Sequence, residues 1–271
     1  MTRTPERIRR LLNNAKFDRI LRAKYEHRLV AFYDVLGWRS KISWAGQDEE
    51  RIALLLNLVS RLHHLSDAIK KGSSNISNMT TFSDNVVISQ KVDNDTTHFL
   101  TKVAMAQILA ADSGFWIRGG VTIGEVIHND KVVFGPGLNR AYELETRVAL
   151  YPRIVLDPQH VHKLVQDARL ISVEDGTTFL DPFSPRFFDY LHDSVGDLIS
   201  WFVGEVTFGL GAPKELLHLA KLNKILHVLD LELQGPLEDK EQAKLNWLRG
   251  HIRKNLEGQP TLGQLMHSII T

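Results

Sequence analysis

Residues 29–37 read LVAFYDVLG and residues 81–89 read TFSDNVVIS. The first is a short apolar, aromatic-rich run that ends at Gly37 and carries one acid, Asp34. It predicts a buried strand. The second predicts two strands around a tight turn at Ser83-Asp84-Asn85. Taken singly, an acid at a strand end is a turn former or a cap. Two acids at the tips of neighbouring central strands repel unless cations lie between them, and hard oxygen ligands favour magnesium or manganese.

Around these stretches the hydrophobic period alternates between helix and strand. Residues 48–70 and 96–114 predict helices, the second ending at Gly114 as a C-cap. Residues 116–137 (WIRGGVTIGEVIHNDKVVFGPG) predict strand–turn–strand with the turn at Asn129-Asp130. A helix over 137–150 follows the Gly-Pro-Gly loop, then a strand at 153–158 and a helix over 157–167. The order β, α, β-hairpin, α, β-hairpin, α, β, α predicts an α+β fold, a mostly antiparallel sheet with helices packed on one face. Paired glycines at 119 and 120 mark a close backbone approach, either to another strand or to a phosphate. The FGPGLN loop opens a helix whose N-terminus would suit an anion, although a Gly-rich turn alone is simply a turn.

From about residue 183 the texture is helical, with segments 185–204, 213–233 and 238–257 broken at Gly235-Pro236 and Gly258-Gln259-Pro260. The chain thus divides into a basic N-terminal helix (1–27), a core (28–182) and a mainly helical extension packed on it (183–271). Residues 1–24 hold eight Lys and Arg against Glu6 and Asp18. Ile8, Leu11, Leu12 and Ala15 give that segment a narrow apolar stripe without a Trp anchor, which favours a packed helix over a membrane or nucleic-acid arm.

Composition excludes several functions. The 271 residues include no cysteine, so there is no disulfide framework, zinc ribbon or thiol nucleophile. Thirty-three Lys and Arg against 32 Asp and Glu give no global field for nucleic acid. No run of about 18 apolar residues predicts a membrane span, and the N-terminus lacks the apolar core of a secretory signal, so a cytoplasmic location is expected. His63-His64 and His160-x-His162 lack acid or cysteine partners at ligand spacing and read as solvated or packed. The five tryptophans read as core or interface residues.

FYDVLG, TFSDNVVIS, RGGVTIGEV and FGPGLNRAYELE, in this order and spacing, resemble the catalytic core of the class III nucleotidyl cyclases over about residues 28–165. The RGG strand and the N-x-A-Y-x-L-E helix are closest to the pyrimidine cyclases of bacterial anti-phage (Pycsar) defence systems. The resemblance implies a ferredoxin-like nucleotidyl cyclase core. It implies that Asp34 and Asp84 hold two Mg²⁺ or Mn²⁺ ions per site, with the Tyr33 backbone carbonyl as an extra ligand. The amides of Val35, Leu36 and Gly37 would contact the triphosphate, and Asn139 would position the ribose.

Two departures from the family pattern matter. The family's transition-state arginine falls at Glu143, so another cation must substitute. Arg140 is the first choice, with Arg118 and Arg147 behind it. Glu143 and Glu145 read as an exposed helix face pairing with Arg140 or Arg147. The two positions that read a purine hold Thr80 and Val132, with no charged reader at either. This argues against ATP and GTP and fits a pyrimidine read by Thr80, Thr81, Asn78 or a backbone group. The resemblance to the pyrimidine cyclases implies UTP ahead of CTP. The implied activity makes a 3′,5′-cyclic pyrimidine monophosphate and pyrophosphate, a second messenger for a separate effector in anti-phage defence. The family's site lies between two cores, so a homodimer is implied, with no nucleic-acid partner. The alternatives are a catalytically weak nucleotide-binding regulatory homologue and a purine cyclase. A diguanylate-cyclase-like enzyme lacks its GGDEF-type hairpin here.

Overall fold

The computed structural model of the chain describes residues 24–72, 77–92, 96–129, 131–194, 214–261 and 264. The N-terminal helix expected over 1–27 lies almost wholly outside them, as does the end of the segment expected over 185–204.

Strand β1 (Glu26–Val35) is the central strand. It pairs antiparallel with β3 (Asn85–Lys91) on one side and β4 (Ile117–His128) on the other. β2 (Ser77–Phe82) pairs antiparallel with β3. Helices α1 (Trp38–Ala45) and α2 (Glu49–Gly72) connect β1 to β2, and α3 (Thr96–Asp112) connects β3 to β4. The βαββαβ order with spatial order β2-β3-β1-β4 is ferredoxin-like. The sheet continues past β4 through β6 (Ile154–Leu156), which is parallel to β4, then β8 (Thr177–Leu180) and β7 (Ile171–Glu174). β5 (Val133–Phe134) folds back on β4. The fold is α+β, a large, mostly antiparallel sheet with helices.

Helices cover both faces of the sheet and not the single face expected, and the unbroken apolar run in β1 follows from that cover. Leu29, Ala31, Tyr33 and Val35 enter the main core beneath α3 and α7 (Lys214–Leu233). Val30 and Phe32 point the other way, toward Val87, Val126 and Ala141 of α4 (Pro136–Arg147). The later helices are α5 (Val161–Leu164), α6 (Pro185–Ser194), α7 and α8 (Asp239–Leu256). Asp112 at the end of α3 binds Lys221 (3.1 Å) and Lys224 (3.0 Å), which fastens α7 to the core. α8 is fixed to the sheet by Trp247 stacking on Tyr151 at 4.8 Å and by His251 bonding Asp181 at 2.9 Å. Among the described residues no helix is long and apolar enough to cross a membrane.

Three expectations change. α1 is a separate short helix that the sequence reading ran past. The helix expected over 157–167 shrinks to Val161–Leu164, because Asp157 is buried and its amide bonds the Val121 carbonyl, continuing the sheet. The β7–β8 hairpin was missed, although Asp175-Gly176 is its two-residue turn with both φ positive (50° and 70°).

The paired glycines serve packing. A Cβ at Gly119 would lie 2.5 Å from the Phe32 carbonyl oxygen. A Cβ at Gly120 would lie 2.4 Å from Cβ of Leu144, and one at Gly124 2.6 Å from Cα of Gly137. Helix α4 therefore lies directly on the backbone of β4. Gly120→Ala should lower the stability measured by urea unfolding by about 1–3 kcal/mol, through overpacking. Gly250→Ala, at an exposed position of α8 with open space around it, should raise it by about 0.5–1 kcal/mol.

Candidate active site

The sheet register brings the two sequence-selected acids together. Asp34 is the penultimate residue of β1 and pairs with Asn85, beside Asp84 in the β2–β3 turn. The Val35 amide donates to the Asp84 carbonyl at 3.2 Å and ties the strand tip to the turn. Ser83 takes a positive φ of 59°, and its hydroxyl accepts from Trp38 Nε1 at 2.9 Å, which fastens the turn to α1. The Asp34 and Asp84 carboxyl groups are in hydrogen-bond contact. Burial, then the contact with Asp84 and its charge, push the Asp34 carboxyl up to about 7. Nearby Glu145 adds to the shift and Arg118 opposes it.

Arg118 pairs with Asp34 in the β1–β4 register, with Nη2 4.0 Å from Oδ2. Its Nε lies 2.6 Å from Glu145. Glu145 is buried, so its expected place on an exposed face is corrected. The reason is the glycine contact, which turns that side of α4 onto β4. Glu143 does pair with Arg140 (3.2 Å) and Arg147 (3.3 Å), as expected.

The donor set fits a hard divalent cation. Two carboxylates share one small space and repel, and a cation between them would offset that repulsion. No cluster of three or more candidate ligands occurs among the described residues. The proposed Tyr33 carbonyl does not supply the third ligand. Tyr33 pairs with Val86 on one side and Gly119 on the other, so its carbonyl lies in the sheet plane toward a neighbouring strand.

The loop amides also need correction. Val35 N–H is bonded to Asp84, and Leu36 N–H donates to the Trp116 carbonyl at 2.8 Å. Both serve the sheet and its edge. Gly37 remains, at φ 67°, as the left-handed N-cap of α1.

Asn139 and Arg140 do not join this cluster. α4 runs antiparallel to β4, with Gly137 against Gly124 and Leu144 against Gly120, so Arg118 meets Glu145 at the far end of the helix from Asn139. Asn139 is exposed. Arg140 holds Asp157 in a two-pronged bond (Nε–Oδ2 2.9 Å, Nη2–Oδ1 2.9 Å) and also meets Glu143. Burial pushes the Asp157 carboxyl up, but Arg140, Thr122 and the Gln159 amide outweigh it and hold it at about 2. Arg140 is thus a clamp between α4 and the end of β6, not a free cation. Thr80 is half-buried on the face of the sheet that α4 covers and bonds His128, while Val132 is exposed in the β4–β5 turn nearby.

Three residues in this region escaped the sequence reading. Lys244 of α8 lies in the electrostatic field of Arg118, Glu145 and Asp34. It lines a cavity of about 610 Å³ with Leu36, Gly37 and Lys41. Glu241, one turn earlier, abuts Gly37, where an added Cβ would lie 3.3 Å from its carboxylate. No local pattern marks Lys244, since only the docking of α8 places it. His128 bonds both Thr80 and Ser89.

No family model and no curated protein matches the chain. Solved structures similar to it are nucleotidyl cyclases. The guanylyl cyclase Cya2 is 12% identical over 58% of this chain and 91% of its own, with a TM-score of 0.40. The dimeric guanylyl cyclase domain of the RhoGC fusion protein from the aquatic fungus Blastocladiella emersonii is 19% identical over 58% and 94%, with a TM-score of 0.44. A bacterial light-regulated adenylyl cyclase is 14% identical over 59% and 92%, with a TM-score of 0.41. Similarity at this level does not assign the chain an activity.

The raised Asp34 carboxyl means that the folded protein holds this proton more tightly than the unfolded chain. Its cost is absent below about pH 4, where both states are protonated, and grows as the pH rises toward 7. In metal-free protein, Asp34→Asn should therefore raise Tm at about pH 8, and the gain should shrink at about pH 5. Mn²⁺ should raise the wild-type Tm more at the higher pH, and this shift should vanish in Asp34→Asn, as read by differential scanning fluorimetry.

Proposed function

We propose that the protein is a metal-dependent nucleotidyl cyclase that converts UTP, and CTP less well, to the 3′,5′-cyclic monophosphate and pyrophosphate. The observation that carries this reading is the contact between Asp34 and Asp84 at the tips of paired strands, next to the Gly37 loop. In the reaction the ribose 3′-oxygen bonds the α-phosphorus, the bond from that phosphorus to the bridging oxygen of pyrophosphate breaks, and the hydroxyl proton leaves. Two Mg²⁺ or Mn²⁺ ions held by Asp34 and Asp84 would lower the pKa of the 3′-hydroxyl and neutralise the leaving pyrophosphate. The Gly37 amide and the first amides of α1 would meet the triphosphate. Arg118 and Lys244 would supply the positive charge that Glu143 cannot, while Arg140 steadies the helix that presents Asn139 to the ribose.

Asn139 lies away from the carboxylates of its own chain, so a complete site needs α4 of a second copy, and the working form is a homodimer. Exposed Phe82, Val132, Phe134 and Tyr142 around the same region support such an interface. The base pocket would include Thr80 and Val132. The product would act as a second messenger on a separate effector in bacterial anti-phage defence, made in the cytoplasm. The second reading, a nucleotide-binding regulatory homologue, is favoured by Glu143 at the arginine position together with the commitment of Arg140 to Asp157.

Purified protein with Mn²⁺ and each of the four ribonucleoside triphosphates should yield cyclic UMP fastest, as separated by chromatography. Absence of any cyclic product would sink the cyclase reading, and a faster purine product would sink the pyrimidine one. Asp34→Ala and Asp84→Ala should each lower kcat by about 10²-fold or more, and Lys244→Ala by about tenfold or more with partial recovery in Lys244→Arg. Mixing Asp34→Ala with Asn139→Ala protein should restore about a quarter of wild-type activity, because half the dimers then carry one intact site. No restoration would contradict the shared site.

A further inference from the structure

A chain of hydrogen bonds beneath Thr80 has a direction, and the direction is set by chemistry. Arg28 of β1 is buried, and its guanidinium donates on several sides. Nε bonds Ser89 Oγ at 2.9 Å, Nη1 bonds Glu26 at 2.7 Å, and Nη2 bonds Asn78 Oδ1 at 2.7 Å and the Ser89 carbonyl at 3.2 Å. A guanidinium has donors only, so Ser89 Oγ must accept from it. Ser89 is fully buried, and its Oγ lies 2.8 Å from His128 Nδ1. If Nδ1 carried a hydrogen, the Ser89 proton would be left without an acceptor in a buried place. Nδ1 is therefore the acceptor, and the imidazole carries its proton on Nε2. Nε2–H then donates to Thr80 Oγ1 at 2.9 Å. The Thr80 hydroxyl, with its oxygen already accepting, has its own proton free to donate outward. Thr80 is half-buried, at the open end of the chain.

We infer that the Arg28–Ser89–His128 relay fixes the Thr80 hydroxyl as a donor, so that this position takes a nucleobase with a carbonyl oxygen and rejects one with an amino group. This inference rests on the proposal that Thr80 faces the base. A donor aimed at the O4 carbonyl of uracil makes a hydrogen bond, whereas aimed at the N4 amino group of cytosine it meets another donor. The same logic ranks guanine above adenine wherever a purine enters. His128, Ser89 and Arg28 are positioning residues that act through Thr80. Asn78, which the sequence offered as a base reader, has its carbonyl oxygen held by Arg28 and belongs to the support.

Two measurements test the relay separately from turnover. In ¹⁵N-histidine-labelled protein, His128 should show a protonated Nε2 and a bare Nδ1, and Ser89→Ala should abolish that pattern. A protonated Nδ1 in the wild type would overturn the inference. The second measurement is calorimetric titration with the non-cyclising α,β-methylene analogues of UTP and CTP. Wild type should bind the uridine analogue more tightly. Thr80→Val and Ser89→Ala should each cut that preference by about tenfold or more, while Thr80→Ser keeps it. An unchanged preference in Thr80→Val, or an absence of binding by both analogues, would overturn the inference. Because the titration needs no turnover, an inactive protein that still prefers uridine would refute the cyclase reading and leave the relay standing.

Discussion

Two carboxylates that would separate in solution are held in contact by the backbone of β1. That strand is clasped on both sides, by β3 and by β4, and the ladder sets Asp34 beside the Asp84 turn and opposite Arg118. The repulsion between the acids is a local cost that the rest of the sheet sustains. Burial of Leu29, Ala31, Tyr33 and Val35 on one face and Val30 and Phe32 on the other stabilises the strand against it. The pair is thus strain that the fold holds in place, and a divalent cation between the two carboxylates would relieve it.

The second determinant is the absence of side chains along β4. Gly120 and Gly124 let α4 settle on the strand backbone, and this settles which end of the helix meets which group. Glu145 is carried inward to Arg118, while Asn139 is carried to the opposite end and outward. Had a side chain stood at residue 120, the helix would ride higher and the Arg118–Glu145 pair would open. The Arg140–Asp157 clamp fastens the other end of the same helix. One helix therefore has a buried acidic end that belongs to the carboxylate cluster and an exposed end that does not.

Much of this was legible because it is local. The apolar run ending in Gly37, the turn at 83–85 and the Gly-Gly strand each announce themselves within ten residues, and the order of elements follows from them. Asp34 and Asp84 could be paired on paper because the strands that carry them are neighbours. The roles of Arg140, Glu145, Leu36 N–H and the Tyr33 carbonyl were not legible, because each depends on a partner that sequence distance hides. Arg140 looked free because Asp157 lies beyond the end of its helix. Glu145 looked exposed because helical period alone does not say how close a helix can approach a glycine strand. Lys244 stands for the limit of such reading, since nothing near it in sequence refers to Asp34. The Asp175-Gly176 turn, a two-residue hairpin turn with both φ positive, is as local a signal as the turn at 83–85.

The docking of α8 has a consequence in time. Glu241 and Lys244 reach the loop after β1, yet they are made some two hundred residues later. At synthesis rates of about 5–20 residues per second, the strand tip waits on the order of ten seconds or more for them. A nascent chain carrying the whole ferredoxin-like sheet would still lack this part of the pocket wall. The surroundings of the carboxylate pair are finished only when α7 and α8 have left the ribosome and folded back.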